Sequence, residues 1–239
     1  MINKFAIVTI HEGNNKNLLK TINSVNSQSI KPELHIIICK NYNTSILSYK
    51  KKYNKFIFKK DRSIYNAMNI GLSYTKNYFL FFLNSGDYLY SKNSLKIIKR
   101  LIKIYKNKCL NFKTLLKHQN KSFLIKNKIF NNNDFLSHPS FIRPPVKKNY
   151  FFSENFNILS DGIWMRENKK NLGVKKINII TTVHTLGGIS TCPTFFSIKD
   201  NLKFSIYYGL KETIKYFLKK ILNKKKYYEL IYRKKYLIK

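Results

Sequence analysis

Acidic residues are scarce in this sequence of 239 residues. Asp and Glu together number 11, against 46 Lys and Arg, which gives a formal net charge of +35 at pH 7. Arginine, which nucleic-acid readers favour for bidentate contacts, occurs at only five positions, and lysine supplies the rest. The chain is also crowded with Asn, Ile, Tyr and Phe, the profile of an AT-rich coding sequence, so part of the charge is compositional. We therefore expect no nucleic-acid partner.

Cysteine and long apolar runs are also missing. The three cysteines, Cys39, Cys109 and Cys192, are too few and too scattered for a disulfide framework or a zinc cluster. No apolar run approaches the roughly 18–20 residues of a membrane span, and the apolar run at the start is too short for a signal peptide. At 44% hydrophobic residues the chain can nevertheless bury a core. We expect a cytoplasmic protein.

The first half of the chain alternates strand and helix patterns. Short, β-branched or aromatic apolar runs predict strands, and residues at helical spacing between them predict helices. This alternation favours an α/β fold with a mostly parallel sheet covered on both faces. The predicted strands are 5–10, 34–39, 56–58 and 78–83, and the predicted helices are 15–27, a segment capped by Ser63 that runs to about 75, and 91–106.

The second half is less regular. Strands are predicted at 109–113, 122–126 and 174–183, a loop from 138 to 145, and a helix that Ser160 can cap. We divide the chain into a domain of residues 1–195 and a basic amphipathic helical tail of residues 196–239. Two interpretations of the tail remain open. Its apolar face can lie in an anionic membrane interface, with the protein peripheral on the inner face of the cell membrane, or it can cover the sheet domain.

Two of the five aspartates follow predicted strands. Asp61 comes after the third strand, and Asp87 ends the turn Asn84-Ser85-Gly86-Asp87 after the fourth. Ligands of open α/β sheets bind outside the carboxyl ends of the strands, where a lone carboxylate suits a hard divalent cation. The alternative is that both are ordinary turn or cap residues, which Asp favours.

Five ordered motifs carry a resemblance to a known family. The segment 61–87 reads DRSIYNAMNIGLSYTKNYFLFFLNSGD, and an L…SV..Q stretch precedes it at 18–28. His138-Pro139-Ser140-Phe141, Ser160-Asp161-Gly162 and Gly187-Gly188-Ile189-Ser190 follow in order. Over about residues 5–190 the chain resembles the family 2 glycosyltransferases, specifically their bacterial cell-surface polysaccharide branch. The resemblance implies a GT-A fold and inverting transfer of a sugar from a nucleotide-diphosphate sugar, expected to be a UDP-sugar, to a glycan or lipid-linked glycan acceptor.

The same resemblance assigns roles to single residues. It implies that Asp87 binds Mn²⁺ or Mg²⁺, which stabilises the leaving diphosphate, and that Asp161 takes the proton of the acceptor hydroxyl. Asp161 can alternatively serve as an acid at a helix N-terminus, and His138 either contacts the acceptor or bonds to loop backbone. The implied nucleotide-sugar residues are Thr9, Asp61, Asn69, Asn84 and Ser85.

The chain departs from the family pattern at two places. The usual acid after the second strand is absent, since that strand ends Ile38-Cys39-Lys40-Asn41, and the motif YDAMN reads YNAMN with Asn66. A catalytically degenerate GT-A protein therefore stands as one alternative, and the charge of +35 leaves a polyanion- or nucleic-acid-binding basic protein as another. Elsewhere we expect Trp164 to lie in the core. We expect Arg62 and Arg143 to be surface cations, with pairing to phosphates as the alternative.

Overall fold

The computed structural model describes residues 4–118, 121–124, 138–145, 151–186, 199, 200, 203 and 206. These residues form nine strands in one sheet and four α-helices. The strands are β1 Phe5–His11, β2 Leu34–Cys39, β3 Asn54–Phe58, β4 Phe79–Phe82, β5 Tyr88–Leu89, β6 Cys109–His118, β7 Lys121–Leu124, β8 Phe141–Arg143 and β9 Val174–Thr185. The helices are α1 Asn15–Asn26, α2 Ile64–Ser73, α3 Ser94–Ile104 and α4 Ser160–Leu172, with 3-10 turns at Thr44–Tyr49 and His138–Ser140.

The sheet order is β3-β2-β1-β4-β8-β6-β9-β5, and β7 pairs with β6. The first four strands in this order run parallel, as the alternation of strands and helices predicts. Beyond β4 the sheet is mixed, because β8 lies antiparallel between β4 and β6 while β6 and β9 are parallel. The expected α/β fold with a mostly parallel sheet is therefore confirmed, and each of its antiparallel pairs involves β5, β7 or β8.

Both faces of the parallel strands are buried, which explains their unbroken apolar runs. Successive side chains of a strand point to opposite faces. Ala6 and Val8 belong to a cluster that contains α2 and Trp164 of α4, whereas Phe5 and Ile7 belong to a second cluster that contains α3. A central strand in such a sheet has no polar face, so the polar residues collect at the strand ends.

Helix α2 lies unusually close to β1. A Cβ built at Gly71 would stand 2.5 Å from Val8 Cγ1, so only glycine lets the helix approach the strand at this distance. The helix begins where the sequence predicts, since the Ser63 side chain accepts a hydrogen bond from the Asn66 N–H at 3.1 Å. This packing fixes the first turn of α2 next to the carboxyl ends of the strands.

Three features differ from the sequence-based expectation. Phe141–Arg143, expected in a loop, forms β8, and a strand of three residues is too short to show a strand period in the sequence. The expectation that Arg143 is a surface cation is wrong. The residue is 2% exposed, and its guanidinium carbon lies 4.0 Å from the centre of the Trp164 ring. The two-residue strand β5 was not expected either.

Two expected features lie outside the described residues: the motif at 187–190 and all of the tail except residues 199, 200, 203 and 206. The division at residue 195 and the membrane interpretation of the tail therefore stay predictions. Within the described part of the chain, no helix combines the length and apolar character needed to cross a bilayer.

Candidate active site

The predicted polar residues meet at the carboxyl edge of the parallel strands. The turn after β4 lies against the end of β1, where the Ser85 N–H donates to the Ile10 carbonyl at 3.1 Å. Helix α1 supports this turn from beneath, because the Thr21 hydroxyl donates to the Asp87 carbonyl at 2.6 Å and accepts from the Gly86 N–H at 3.0 Å. Gly86 has φ +99°, a conformation that suits glycine, so the turn explains the glycine at this position.

The carboxylate of Asp87 is buried and held by β9. His184 Nδ1 lies 2.9 Å from Asp87 Oδ1, and the Thr185 N–H donates to the same oxygen at 2.9 Å. Burial by itself would lower the pKa of His184, but the charge of Asp87 and the hydrogen bond to it outweigh burial and raise that pKa. Among the described residues both hydrogen bonds to this carboxylate end on Oδ1, which leaves Oδ2 available as a ligand.

The pair of Asp87 and His184 fits a divalent cation as a partial donor set. The carboxylate suits Mn²⁺ or Mg²⁺, whose remaining positions can be filled by phosphate oxygens and water, and the imidazole offers one nitrogen donor beside it. The described residues contain no group of three or more His, Cys, Asp or Glu that could hold a metal by themselves. Among the described residues, Asp87 and His184 are therefore the side chains that could ligate a metal at this place.

Asn84, Ser85 and Asp61 line the same edge. Asn84 Oδ1 is buried and has no hydrogen-bond partner among the described residues. Ser85 Oγ lies 3.0 Å from His11 Nδ1, and burial is the main cause that lowers the pKa of this histidine. Asp61 is partly buried; burial raises its pKa, and the nearby Lys40 opposes that effect. Together these side chains offer the amide oxygen of Asn84, the hydroxyl of Ser85 and the carboxylate of Asp61.

Two of the residues predicted to bind the nucleotide-sugar, Thr9 and Asn69, use their polar side-chain atoms in hydrogen bonds within the protein. Thr9 is fully buried, with its hydroxyl 2.9 Å from His35 Nε2 and donating to the Leu83 carbonyl at 2.8 Å, so it lies below the edge and joins three strands. The Asn69 amide donates to the Phe152 carbonyl at 2.9 Å and accepts from the Phe152 N–H at 2.8 Å. Asn69 thus fixes the segment that covers α2.

Asp161 and His138 come together at the start of α4. His138 Nε2 lies 3.1 Å from Asp161 Oδ2, while the Tyr65 hydroxyl and the Gly162 N–H donate to Oδ1 at 2.9 and 2.8 Å. Burial would raise the pKa of Asp161, but His138 and the hydrogen bonds from Tyr65 and Gly162 outweigh it, and the pKa is lowered. Asp161 is therefore a carboxylate at neutral pH, held in one orientation by three donors.

This cluster lies close to the end of β4. The His138 ring is 5.5 Å from the Phe82 ring, centre to centre, and Phe82 is the last residue of β4. A space of about 10 Å³, roughly the volume of one water molecule, is bounded by His138, Asp161, Arg143 and neighbouring aromatic rings. The carboxylate of Asp161 and the turn that carries Asp87 therefore belong to the same end of the sheet.

The family motif YDAMN has an acid where this chain has Asn66. In this chain Glu154, from another part of the sequence, places a carboxylate next to Asn66. The Asn66 amide donates to both carboxylate oxygens of Glu154 at 3.0 Å, and Asn69 donates to Glu154 Oε1 at 3.1 Å. A carboxylate thus remains at this surface although the residue on α2 is an amide. After β2, where the family's usual acid is also absent, Lys40 Nζ lies 2.5 Å from Oε1 of Glu12, the residue that follows β1.

The comparison with known proteins points to one fold. Neither a family model nor a curated protein sequence matches the chain. Solved structures do match: Staphylococcus aureus TarS residues 1–349 in complex with UDP-GlcNAc has a TM-score of 0.65 and 17% identity, covering 83% of this chain and 65% of that one. The complex of the same TarS fragment with UDP has a TM-score of 0.62 and 16% identity, covering 77% and 61%. The chain has the GT-A fold.

A third structure extends the likeness to another donor. The mannosyltransferase PcManGT of Pyrobaculum calidifontis, in complex with GDP-Man and Mn²⁺, has a TM-score of 0.57 at 8% identity and covers 79% of this chain and 58% of its own. These structural neighbours are GT-A glycosyltransferases. This chain spans less than two thirds of the length of each of the three.

Three residues of the site were not expected from the sequence. His184 carries no local signal, because it lies inside a β-branched strand, and only its register next to the Asp87 turn reveals it. Tyr65 and Glu154 were not singled out, although Tyr65 belongs to the quoted motif. The pairing of His138 with Asp161 could not be read from residues 23 positions apart in sequence.

Proposed function

We propose that this chain is a glycosyltransferase that moves a sugar from a nucleotide-diphosphate sugar to a hydroxyl of a glycan or lipid-linked acceptor, with inversion. The observation that carries the proposal is a buried carboxylate–imidazole pair beside a separate, hydrogen-bonded carboxylate at one end of a GT-A sheet. Transfer needs a stabilised leaving diphosphate and a base for the acceptor hydroxyl, and these two groups match the two needs. The polysaccharide pathway expected from the resemblance belongs to this proposal.

Asp87 and His184 are the residues that would hold a divalent metal. When bound, Mn²⁺ or Mg²⁺ supplies a Lewis acid that neutralises the charge developing on the diphosphate. The chain's own contribution is a turn fixed by Thr21 and a carboxylate whose Oδ1 is already oriented by β9. Asn84 and Ser85, in the same turn, and Asp61 would contact the nucleotide-sugar, with Thr9 and Asn69 positioning the surface from behind.

Asp161 is the proposed base. Its lowered pKa keeps it ionised, and Tyr65, Gly162 and His138 hold both oxygens, so the carboxylate is oriented before the acceptor arrives. The acceptor hydroxyl would give its proton to this carboxylate as its oxygen attacks the anomeric carbon. A single in-line displacement of this kind inverts the anomeric centre. His138 would lie on the acceptor side.

The test is a panel of nucleotide-sugars with Mn²⁺, in which release of the nucleoside diphosphate is measured. We expect turnover of at least one donor, loss of turnover on adding EDTA, and loss in Asp87→Ala. Asp161→Asn should abolish transfer while donor binding persists. Glu33→Gln is the matched control, because Glu33 pairs with Lys99 away from the site. Donor binding without any turnover would instead support a degenerate GT-A protein.

A further inference from the structure

The His11 side chain joins three elements at the carboxyl edge of the sheet. His11 is the last residue of β1 and is 9% exposed. Its Nδ1 lies 3.0 Å from Oγ of Ser85, in the turn that carries Asp87, and its Nε2 lies 3.2 Å from Oδ1 of Asn15, the first residue of α1. The ring is held at both nitrogens, so each nitrogen has one fixed role.

The partner of Nε2 decides which nitrogen of His11 carries the hydrogen. The Asn15 side-chain oxygen can only accept a hydrogen bond, so Nε2 donates to it. Burial lowers the pKa of His11 below its ordinary value, against the opposite effects of Asn15 and Glu12. The ring is therefore neutral at pH 7 and has one N–H, which leaves Nδ1 as an acceptor.

The acceptor at Nδ1 fixes the direction of the Ser85 hydroxyl. A serine hydroxyl has one hydrogen and two lone pairs. The hydrogen of Ser85 points to His11 Nδ1, and this is the one hydrogen bond of the side chain in the described part of the chain. Because Ser85 is partly exposed, a ligand meets its lone pairs. The hydroxyl can accept a hydrogen bond from a ligand but has no hydrogen left to donate.

The neighbouring oxygen atoms of this edge are acceptors too. Asn84 Oδ1 is buried and has no donor among the residues that the structure describes, and Asp61 adds a carboxylate after β3. The oxygens of a diphosphate are also acceptors, so they cannot bond to these atoms directly. The edge around Ser85 therefore fits a part of the donor that carries hydroxyl groups.

The order of the strands indicates which part of the donor this is. β1 and β8 flank β4 on opposite sides. The Ser85 N–H bonds to the Ile10 carbonyl of β1, whereas Asp161 pairs with His138, in the 3-10 turn that leads into β8. In a nucleotide-sugar the diphosphate joins the sugar at one end to the ribose at the other. With the anomeric carbon next to Asp161, the ribose lies on the side of Ser85.

We propose that His11 is a positioning residue that fixes Ser85 Oγ as the acceptor for a ribose hydroxyl of the donor. The inference rests on the proposed function, since it concerns the nucleotide part of the same site. His11 does not touch the ligand and acts through Ser85. Its consequence is a selectivity for ribonucleotides over deoxyribonucleotides.

The test measures how strongly each ribose hydroxyl contributes to binding. The probes are UDP, GDP, CDP and ADP with Mn²⁺, followed by the 2′-deoxy and 3′-deoxy forms of the tightest binder, each titrated into the full chain by calorimetry. At least one deoxy form should bind more weakly than its parent by roughly two- to tenfold, the contribution of one neutral hydrogen bond. Ser85→Ala should remove this preference.

Two substitutions of His11 separate the roles of its nitrogens. In His11→Asn the side-chain oxygen takes the place of Nδ1 and still accepts from Ser85, so the preference for the parent nucleotide should remain. In His11→Gln the amide takes the place of Nε2 and keeps the bond to Asn15, but Ser85 loses its acceptor and the preference should shrink. A purely structural role of His11 would change the affinities for the parent and deoxy forms by the same factor.

Three outcomes would overturn the proposal. They are equal affinities for the parent and both deoxy forms in the unchanged chain, an undiminished preference in Ser85→Ala, and the same preference in His11→Gln as in His11→Asn. Donor turnover is measured in parallel. Turnover without a ribose preference refutes the role of His11 alone, and a ribose preference without turnover refutes the transferase alone. No binding of any nucleoside diphosphate refutes the proposed function and this inference with it.

Discussion

Replacing Tyr65 by Phe tests whether Asp161 acts as a base through the hydrogen bonds that hold it. Tyr65 is 2% exposed, and its hydroxyl donates to Asp161 Oδ1 at 2.9 Å. Burial, and then the charge of Asp161, raise the pKa of Tyr65 well above its usual value, so the hydroxyl keeps its proton and remains a donor. The substitution removes one oxygen atom and leaves the packing of the ring on Phe152 in place.

The expected size of the effect follows from the type of bond. A hydrogen bond to a charged group contributes about 1.5–3 kcal/mol, and each 1.36 kcal/mol corresponds to about one pKa unit or a tenfold rate change. The lost donor should therefore raise the pKa of Asp161. In Tyr65→Phe we expect the acidic limb of the pH profile of kcat to move to higher pH by about one to two units. On the plateau, kcat should fall by about ten- to a hundredfold, because the carboxylate loses its fixed orientation.

The assay is release of nucleoside diphosphate across the pH range with saturating donor, at several acceptor concentrations. Tyr74→Phe is the matched control, because Tyr74 directly follows the same helix but is 43% exposed, with the Lys55 ammonium over its ring. An unchanged acidic limb in Tyr65→Phe, together with an unaltered melting temperature, would refute the role of Asp161 as the group that titrates. A fall in kcat with no movement of the limb but a lowered melting temperature would assign Tyr65 to packing.

Further predictions concern stability and metal binding. Burial lowers the pKa of His35 to about 3. Below pH 6.5 the unfolded chain therefore binds a proton that the folded chain does not, and the free energy of unfolding should fall by about 2–3 kcal/mol from pH 7.5 to pH 4.5. Urea titrations of His35→Gln should lack this loss. Gly71→Ala should destabilise the protein by about 1–3 kcal/mol in denaturant unfolding, and a second change, Val8→Ala, should recover part of it; additive losses would contradict the close approach. His184→Ala should weaken Mn²⁺ binding in the presence of a nucleoside diphosphate by about ten- to a hundredfold by calorimetry, with His118→Ala unchanged; equal affinities would remove His184 from the metal site.

The parallel half of the fold could be predicted because its signals are local. Each of β1, β2 and β4 is an apolar run bounded by polar residues, and α1 and α2 have a cap and a helical period. The second half could not be predicted equally well. β8 is three residues long and draws its stability from pairing on both sides with β4 and β6, partners that are distant in sequence. Local pattern carries no information about such pairs.

The residues of the candidate site also fall into two groups, those that lie in sequence motifs and those that only the tertiary structure reveals. Asp87 and Asp161 lie in recognisable motifs, so their positions were expected and their roles stay proposals. His184 and Glu154 enter the site only through the register of β9 and the path of the 151–154 segment. Arg143 is the sharpest case, because its sequence context reads as an exposed loop, whereas tertiary packing buries its guanidinium against Trp164. A cation in a strongly basic chain gives no sign of its own burial.

The scarce acids differ in their partners, and this difference bears on the chemistry. Glu12 and Glu33, both at exposed positions, pair with lysines. The aspartates with little exposure do not. The buried Asp87 bonds to an imidazole and a backbone N–H, and the buried Asp200 to backbone and amide N–H groups. The partly buried Asp161 bonds to an imidazole, a phenol and a backbone N–H. In a chain with 46 basic residues, a lysine at hydrogen-bond distance would be the simplest partner for each. Such an ammonium would compete with a metal for Asp87 and hold Asp161 too strongly ionised to accept a proton. Neutral donors and histidines orient these carboxylates and leave them able to bind a cation or take a proton.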